Sequence, residues 1–274
     1  MKKITLILTL ACLILTLMVS ISQAGEGQLV VQGSTTVLPI AQAAAEVFMQ
    51  NNPQANISVR GGGSGNGIAA LIEGTCDIAD ASRPMKIKEI LLCQKKGISP
   101  VPHIIAMDGI AVIVHSSNPI QGLNIEEIKD IYTGKITNWK ELGGQDLKIV
   151  VVSRDSSSGT FETFENIVLK GKKVIPEALA QASNQTVATV ISTTKGAIGY
   201  VGLGYISTTI KALQVNGVIP EQETVVSGKY PISRPLYMYT DGAPQGVDKD
   251  FLEFICSKEG QKIVKEQRFV PLSF

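Results

Sequence analysis

Short β-branched runs alternate with amphipathic helical runs along almost the whole chain, and this alternation constrains the fold most. "QLVVQG" (28–33) is typical of a strand, and the amphipathic "LPIAQAAAEVFMQ" (38–50) that follows is typical of a helix. "NISVRG" (56–61) and "GIAALIEG" (67–74) repeat the pair. Such alternation predicts an α/β fold in which a mainly parallel sheet is flanked by helices.

The same pattern continues to the end of the chain. Further strands are predicted at "CDIADAS", "HIIAMDGIAVIVHSS", "LKIVVVSR", "AIGYVGLGYI" and "RPLYMYT", and further helices at "IKEILLCQKKG", "NIEEIKDIYTG", "NWKEL", "FETFENIVL" and "KDFLEFICSKEGQKIVKE". Two segments, 106–110 and 227–235, are candidates for crossings between lobes. We therefore expect a discontinuous lobe 1 (25–106 and 227–274), a lobe 2 (107–226) and a ligand cleft between them.

The first residues have the layout of a secretory signal peptide. Lys2 and Lys3 precede an apolar run (4–21), and "SQA" then ends at Ala24 with the small-x-small pattern of a cleavage site. We expect residues 1–24 to be removed near Ala24, which leaves a soluble, monomeric protein in the periplasm. A retained membrane anchor and a lipid on Cys12 remain open, although the apolar run continues past Cys12.

The net charge of the chain argues against some classes of partner, and its cysteine content limits the possible disulfides and metal sites. Lys and Arg number 25 against 24 acids, and removing Lys2 and Lys3 changes the formal charge from +1 to −1, since 23 − 24 = −1. No basic excess points to nucleic acid or an anionic membrane. Three cysteines remain after the signal (Cys76, Cys93 and Cys256), enough for one disulfide or for buried thiols. Their spacing is not that of a zinc site, and we predict neither a metal nor a cofactor.

Three hydroxyl-rich turns stand between a predicted strand and a predicted helix. They are "GSTT" (33–36), "GGGSGNG" (61–67) and "SSSGT" (156–160). The backbone N–H groups at a helix N-terminus are unpaired and carry partial positive charge, so such turns bind anions. Arg154 adjoins the third turn, and Arg83 lies at another strand end. Each turn alone could be a plain helix cap, but three of them favour a cleft for an anion at the carboxyl ends of the strands.

Enzymatic motifs are missing from the sequence. A nucleophile elbow fails because Asn66 stands where G-x-S-x-G needs glycine, and neither the dinucleotide nor the P-loop fingerprint occurs. His103 and His115 lie in or beside one apolar strand-like run, where a histidine is usually structural. We therefore predict a binding protein rather than an enzyme. A secreted hydrolase or phosphatase with Ser64 or Ser158 as nucleophile is the alternative.

Seven blocks, in order, carry a family resemblance: "GSTT", "GGGSGNG", "DIADASRPM", "IYTGKITNW", "SRDSSSGT", "GAIGYVGLGY" and "YPISRPLY". Together they resemble the periplasmic phosphate-binding proteins of ABC-type phosphate importers. The resemblance implies a two-lobed, type II periplasmic-binding fold that closes on inorganic phosphate and delivers it to a membrane permease. The ligand residues expected on this basis are Ser34, Thr35, Thr36, Ser64, Ser82, Arg83, Arg154, Ser158, Gly159 and Thr160.

One position departs from part of that family. Some members carry an aspartate that accepts the proton of monohydrogen phosphate, and Ser82 stands at that position here. Either Asp80 or Asp108, or the Ser82 hydroxyl itself, is then the expected acceptor. Another tetrahedral oxyanion (sulfate, molybdate or tungstate) therefore stays open as the ligand. Asp155 is expected either to orient Arg154 or to cap the third turn.

Overall fold

The computed structural model describes residues 28–272 of the chain, an α/β protein built on a nine-stranded sheet. The predicted signal peptide, its cleavage site and Cys12 lie outside the described residues. Within residues 28–272, no helix has the length and apolar character needed to cross a membrane, and no group of three or more potential metal ligands occurs.

The strands are β1 (Gln28–Gly33), β2 (Asn56–Gly61), β3 (Ile78–Ala81), β4 (Pro100–His115), β5 (Gly122–Leu123), β6 (Val150–Arg154), β7 (Leu179–Gln181), β8 (Ala197–Gly202), β9 (Ile210–Ala212), β10 (Gln214–Val215) and β11 (Ser233–Asp241). The α-helices are α1 (Leu38–Asn51), α2 (Ser64–Ile72), α3 (Ile87–Lys96), α4 (Ile125–Tyr132), α5 (Gly159–Phe164), α6 (Asn184–Thr193), α7 (Gln222–Val226), α8 (Gly246–Cys256) and α9 (Lys258–Glu266). Most of these elements coincide with the predicted runs.

The strand order is β2-β1-β3-β11-β4-β8-β6-β7, with β9 also paired to β4. Strands β2, β1 and β3 are parallel to one another, as are β8, β6 and β7. The long strands β11 and β4 join these two parallel groups through antiparallel pairings. The predicted α/β class is confirmed, and the antiparallel centre is the feature that the alternation of elements did not reveal.

Strand β4 runs through two separate hydrophobic cores. Its Ile105 and Ala106 pack with α1, β1 and α8 in the first core, whereas Ile110–Val114 pack with α4, α5 and β8 in the second. A third, smaller cluster lies under α2 and α3. Burial of each Val or Ile side chain contributes about 1.5–3 kcal/mol, so this one strand stabilises both halves. Its continuous apolar run reflects that double burial.

Strand β11, together with the segment just before it, also contributes to both cores. Tyr230 and Ile232 pack in the second core, and Leu236 and Met238 pack in the first. The lobe boundaries between residues 106 and 107 and between residues 226 and 227 stay a prediction. The residues that follow β1 and β6, one strand from each parallel group, nevertheless contact each other.

Two local predictions were wrong. The last predicted helix (249–266) is two helices, because Ser257 has extended backbone angles and its Oγ accepts from Gly260 N to start α9. The predicted strand over 197–206 ends at Gly202 and continues as a 3₁₀ turn (Leu203–Tyr205). Cys76, Cys93 and Cys256 are all free thiols, the first two buried, so the structure has the thiol alternative rather than the disulfide.

Candidate ligand-binding site

The three hydroxyl-rich turns meet at one place between the two cores. Thr36 of the first turn and Thr160 of the third have their Oγ1 atoms 3.1 Å apart. Gly65 N of the second turn donates to Ser157 O of the third at 2.9 Å. Sequence positions more than ninety residues apart are thus in direct contact, and the Thr36 and Thr160 side chains are almost fully buried. We call the residues of the three turns that meet here, together with the side chains that contact them, the cleft cluster.

In the first turn, backbone geometry depends on Gly33. Its φ is +148°, and a Cβ there would lie 2.2 Å from Asp80 O, so only glycine fits. Ser34 N donates to that same carbonyl at 2.9 Å, and Ser34 Oγ accepts from Thr36 N at 3.1 Å. Ser34 therefore shapes the turn, and Thr35 and Thr36 carry their hydroxyls into the cleft cluster.

The second turn brings Ser64 to Ser82 at the end of β3. Ser64 Oγ accepts from Ser82 N at 3.0 Å and lies 3.3 Å from Ser82 Oγ. Gly159 of the third turn faces both hydroxyls so closely that a Cβ there would be 2.4 Å from Ser64 Oγ and 2.8 Å from Ser82 Oγ. A glycine at this position lets the two halves approach each other.

The third turn places Arg154 at the end of β6 with one end of its guanidinium free. Nε donates to Gln181 O at 3.0 Å, and Nη2 donates to Ala182 O at 3.0 Å and Thr35 Oγ1 at 3.3 Å. Nη1 is buried and has no hydrogen-bond partner among residues 28–272. Burial lowers the pKa of Arg154, and nearby Arg234 adds to that effect. Arg154 is thus a buried cation that forms no ion pair with a carboxylate in the described part of the chain.

The other residues of the third turn hold its shape. Ser158 is the N-cap of α5, and its Oγ accepts from Phe161 N at 3.2 Å. Asp155 Oδ1 accepts from Ser157 N at 2.9 Å and from Ser157 Oγ at 2.6 Å. Asp155 therefore caps the turn, and the alternative that it orients Arg154 through a hydrogen bond is not observed.

The Arg83 guanidinium lies beside Gly65 of the second turn and is held by two glutamates. Its Nη atoms bind both oxygens of Glu89 at 2.7 and 2.8 Å, and its Nε lies 2.7 Å from Glu162 Oε2. Glu162 Oε1 also pairs with Lys86 Nζ at 2.7 Å. Burial lowers the pKa of Arg83, but the glutamates outweigh it and raise the pKa overall.

These four residues (Arg83, Lys86, Glu89 and Glu162) form what we call the Arg83 bridge. Glu162 lies on α5, whose Phe164 is in the second core, whereas the other three adjoin α3 beside the cluster that contains Cys93. The bridge therefore spans the cleft next to the cleft cluster. The Arg83 guanidinium thus forms ion pairs with glutamates on both sides of the cleft.

Sequence reasoning missed two residues of the cleft cluster. Arg234 is 3% exposed and donates from Nη2 to Thr36 Oγ1 at 3.2 Å and Thr160 Oγ1 at 3.0 Å. Asn184 Nδ2 donates to Thr35 Oγ1 and Thr36 Oγ1, both at 3.0 Å. An arginine inside the apolar strand "ISRPLYMYT" was a usable signal, because a buried charge needs a partner. Asn184 gave no such signal, since Asn is common at helix starts.

Asp108 is the carboxylate partner of Arg234. Its Oδ2 lies 2.9 Å from Arg234 Nη2, and its Oδ1 accepts from Leu203 N at 3.0 Å. Burial raises the pKa of Asp108, and the charge of Arg234 opposes that rise. Asp80, the other acceptor considered, is fully buried with neither side-chain oxygen hydrogen-bonded within residues 28–272, and burial raises its pKa well above the usual range.

The charge balance of the cleft cluster favours an anion. Arg234 is paired with Asp108, whereas Arg154 forms no ion pair within residues 28–272 and only the charge of the adjacent Asp155 partly offsets its own. A buried, unpaired charge is costly, so a small anion that reaches Arg154 gains a charge-assisted hydrogen bond in a site of low dielectric. The neighbouring Ser and Thr hydroxyls can add further donors.

Neither histidine contacts Ser64 or Ser158, the two serines that the hydrolase alternative names. His103 Nε2 lies 3.0 Å from Thr240 Oγ1, and His115 Nδ1 lies 2.8 Å from Ser117 Oγ. Ser64 Oγ instead accepts from Ser82 N. The site therefore lacks the serine–histidine pair that the hydrolase alternative needs.

Comparison with known proteins agrees with this geometry. A family model described as "PBP superfamily domain" matches residues 19–259. The phosphate-binding protein PstS of Bacillus subtilis is 38% identical over 92% of this chain and 83% of its own length. The crystal structure of a putative phosphate ABC transporter substrate-binding protein from Clostridium perfringens, with bound phosphate, is 37% identical, with a TM-score of 0.84 over 90% of this chain and 100% of that one.

A third comparison extends the set to another organism. An ABC-type phosphate transport receptor from Vibrio cholerae is 32% identical, with a TM-score of 0.73 over 89% of this chain and 100% of that chain. The family model, which matches residues 19–259, includes the three turns and strands β4 and β11. The chain therefore belongs to the PstS family of phosphate-binding proteins, within the PBP superfamily.

Proposed function

We propose that this protein captures inorganic phosphate between its two halves and delivers it to the membrane permease of an ABC importer. The observation that carries the proposal is Arg154, a buried guanidinium whose Nη1 has no partner among residues 28–272 while its other donors are fixed. An anion of phosphate size can accept from Nη1 and from the hydroxyls of the cleft cluster. The relatives named as phosphate-binding proteins support the choice of anion.

The proposed ligand residues are Thr35, Thr36, Ser64, Arg154, Ser158, Gly159 and Thr160, with Ser34 shaping the first turn. Ser82 and Arg83 differ from the rest. Ser82 Oγ lies beside Ser64 Oγ and so belongs to the cluster, whereas the Arg83 guanidinium is held by Glu89 and Glu162. We assign Arg83 to cleft closure rather than to phosphate.

Selectivity for phosphate over sulfate requires an acceptor for the phosphate proton, because fully ionised sulfate has none to donate. The Ser82 hydroxyl, which follows β3, lies 3.3 Å from Ser64 Oγ of the second turn, and the Asp108 carboxylate accepts from Arg234. Burial raises the pKa of Asp80 and so disfavours the charged carboxylate, which would be the stronger acceptor for this proton. We assign proton recognition to Ser82, with Asp108 supplying negative charge behind it.

The proposal includes export and a monomeric state. The layout of residues 1–24 favours cleavage near Ala24 and action outside the cytoplasm. The relatives described as transport receptors and transporter binding proteins support the permease as partner. Neither catalysis nor a cofactor is part of this role.

A thermal-shift panel tests the proposed function. The protein is stripped of phosphate and melted with phosphate, sulfate, molybdate or tungstate. Ligand at a hundred times its Kd should add about 2.7 kcal/mol of stability, which for a chain of this size raises Tm by roughly 5–11 °C. Phosphate should give that shift at the lowest concentration. A shift with sulfate or molybdate and none with phosphate would reject the assignment.

A further inference from the structure

Helix α3 exposes its apolar side chains instead of burying them. Eight large apolar side chains are exposed within residues 28–272, and four of them lie on this one ten-residue helix: Ile87 (79%), Ile90 (38%), Leu91 (51%) and Leu92 (44%). Cys93 is the one residue of α3 that is fully buried. A surface helix normally turns its apolar stripe to the core, and a concentrated exposed patch marks an interaction surface.

The exposed residues lie along one side of the helix and are mixed with lysines. Ile87 and Leu91 are four residues apart, and Lys88, Leu92 and Lys95 follow the adjacent i, i+4, i+7 line, so the five form one stripe. We call these five residues the α3 stripe. Lys88 and Lys95 make no ion pair within residues 28–272.

The acidic residue of this helix does not balance the lysines. Glu89 is 15% exposed and already binds Arg83 with both oxygens. The α3 stripe is therefore apolar and positively charged, and its complement is an apolar surface that carries carboxylates. The pattern of apolar and positively charged side chains therefore predicts a partner surface that is apolar and acidic.

The position of the α3 stripe in the fold indicates which protein contacts it. Lys86 immediately precedes α3, and its Nζ contacts Glu162 Oε1 across the cleft at 2.7 Å. The stripe thus begins at the rim of the cleft that holds the cleft cluster. An anion bound there leaves through the opening of that cleft, so the protein that receives it must contact the rim.

We propose that the α3 stripe is the surface on which the membrane permease docks, through an apolar face of the permease that carries acidic residues. The identity of the partner rests on the proposed function. Docking at this stripe places the permease beside the Arg83 bridge. The lysines steer the encounter, and the apolar side chains supply the buried contact.

The test uses cells that contain the permease but lack their own binding protein and express the full chain. Leu91→Glu/Leu92→Glu should lower phosphate uptake at least tenfold. A matched control, Ile219→Glu/Val226→Glu, changes two side chains of similar exposure (50% and 69%) away from α3 and should leave uptake within about twofold of wild type. Lys88→Glu/Lys95→Glu should also lower uptake.

Phosphate titrations of the purified variants separate docking from binding. All three variants should bind phosphate with a Kd within about twofold of wild type, because none touches the cleft cluster. Wild-type uptake by Leu91→Glu/Leu92→Glu would overturn the docking proposal and leave the proposed function standing. Absence of phosphate binding in the wild type would overturn the proposed function instead.

A lipid contact is the competing explanation and is tested separately. Vesicles of phosphatidylcholine with and without phosphatidylglycerol are sedimented with wild type and with the Leu91→Glu/Leu92→Glu variant. The docking proposal predicts equal, low sedimentation of both proteins. If the variant keeps wild-type uptake but loses binding to phosphatidylglycerol vesicles, the stripe is a lipid contact and the proposal is wrong.

Discussion

Replacing Glu162 by glutamine should loosen the closed cleft without changing the ligand residues. Glu162 is the one member of the Arg83 bridge that comes from α5, and its two oxygens lie 2.7 Å from Arg83 Nε and 2.7 Å from Lys86 Nζ. Glutamine keeps the shape of the side chain but removes its charge. The bridge joins the two sides of the cleft, so its loss should weaken the contact between them.

The size of the effect follows from the burial of the bridge. Removing one partner of a buried pair costs 3–5 kcal/mol when the other charge is stranded, whereas an exposed pair is worth 0.2–1 kcal/mol. Arg83 keeps both hydrogen bonds to Glu89, and the Lys86 side chain is 38% exposed and can return to water. We therefore expect about 1–2 kcal/mol, which raises the phosphate Kd roughly 5- to 30-fold.

Stopped-flow measurement of phosphate binding checks this prediction. The loss should appear in the dissociation rate, because ion pairs that join the two sides of the cleft oppose its opening. Glu126→Gln is the matched control, since it removes an exposed glutamate that pairs with Lys129 and Lys170. A dissociation rate of Glu162→Gln equal to that of wild type would refute the role of the bridge.

Three further substitutions test other parts of the structure. Gly159→Ala puts a methyl group 2.4 Å from Ser64 Oγ. The phosphate affinity measured by calorimetry should therefore fall at least tenfold, with Tm little changed. A phosphate Kd equal to that of wild type would contradict the close approach of Gly159 to Ser64. Burial raises the pKa of Asp80, so the folded state holds its proton more tightly and stability falls as pH rises above the unfolded value of about 4. In denaturant melts, the free energy of unfolding of Asp80→Asn minus that of wild type should increase from pH 4 to pH 7. A difference that stays constant over this pH range would contradict the prediction. Asp108→Asn strands Arg234 and should cost about 3–5 kcal/mol in the same melts; a loss below 1 kcal/mol would show that the pair is not essential.

Much of the fold was predictable because local signals agreed with the global arrangement. The runs at 28–33 and 38–50 are continuous in hydrophobic pattern, and the strand and helix occur where that pattern predicts them. Pairing direction was not predictable for β4 and β11, because a strand buried on both faces has the same apolar run in a parallel or an antiparallel sheet. The break at Ser257 was missed because the helical pattern continues through it.

Part of the candidate site was also predictable from the sequence, and part was not. Hydroxyl turns before helices carry a local signature, so their convergence could be expected from the carboxyl ends of the strands. The role of Arg83 could not, because its partner Glu162 is seventy-nine positions away (162 − 83 = 79) and only the folded chain brings them together. Arg234 reaches the cleft cluster from the last strand, which is adjacent to β3 in the sheet and far from it in sequence.

The central claim is that the charge of Arg154 holds phosphate, and calorimetry with inorganic phosphate tests it most directly. Wild type, stripped of ligand, should bind one phosphate per chain, and Arg154→Ala should bind at least a hundredfold more weakly, a loss of about 3 kcal/mol. The variant should still melt cooperatively, since the positive charge that it removes has no carboxylate partner among residues 28–272. Phosphate binding of wild-type strength by a folded Arg154→Ala protein would contradict the account.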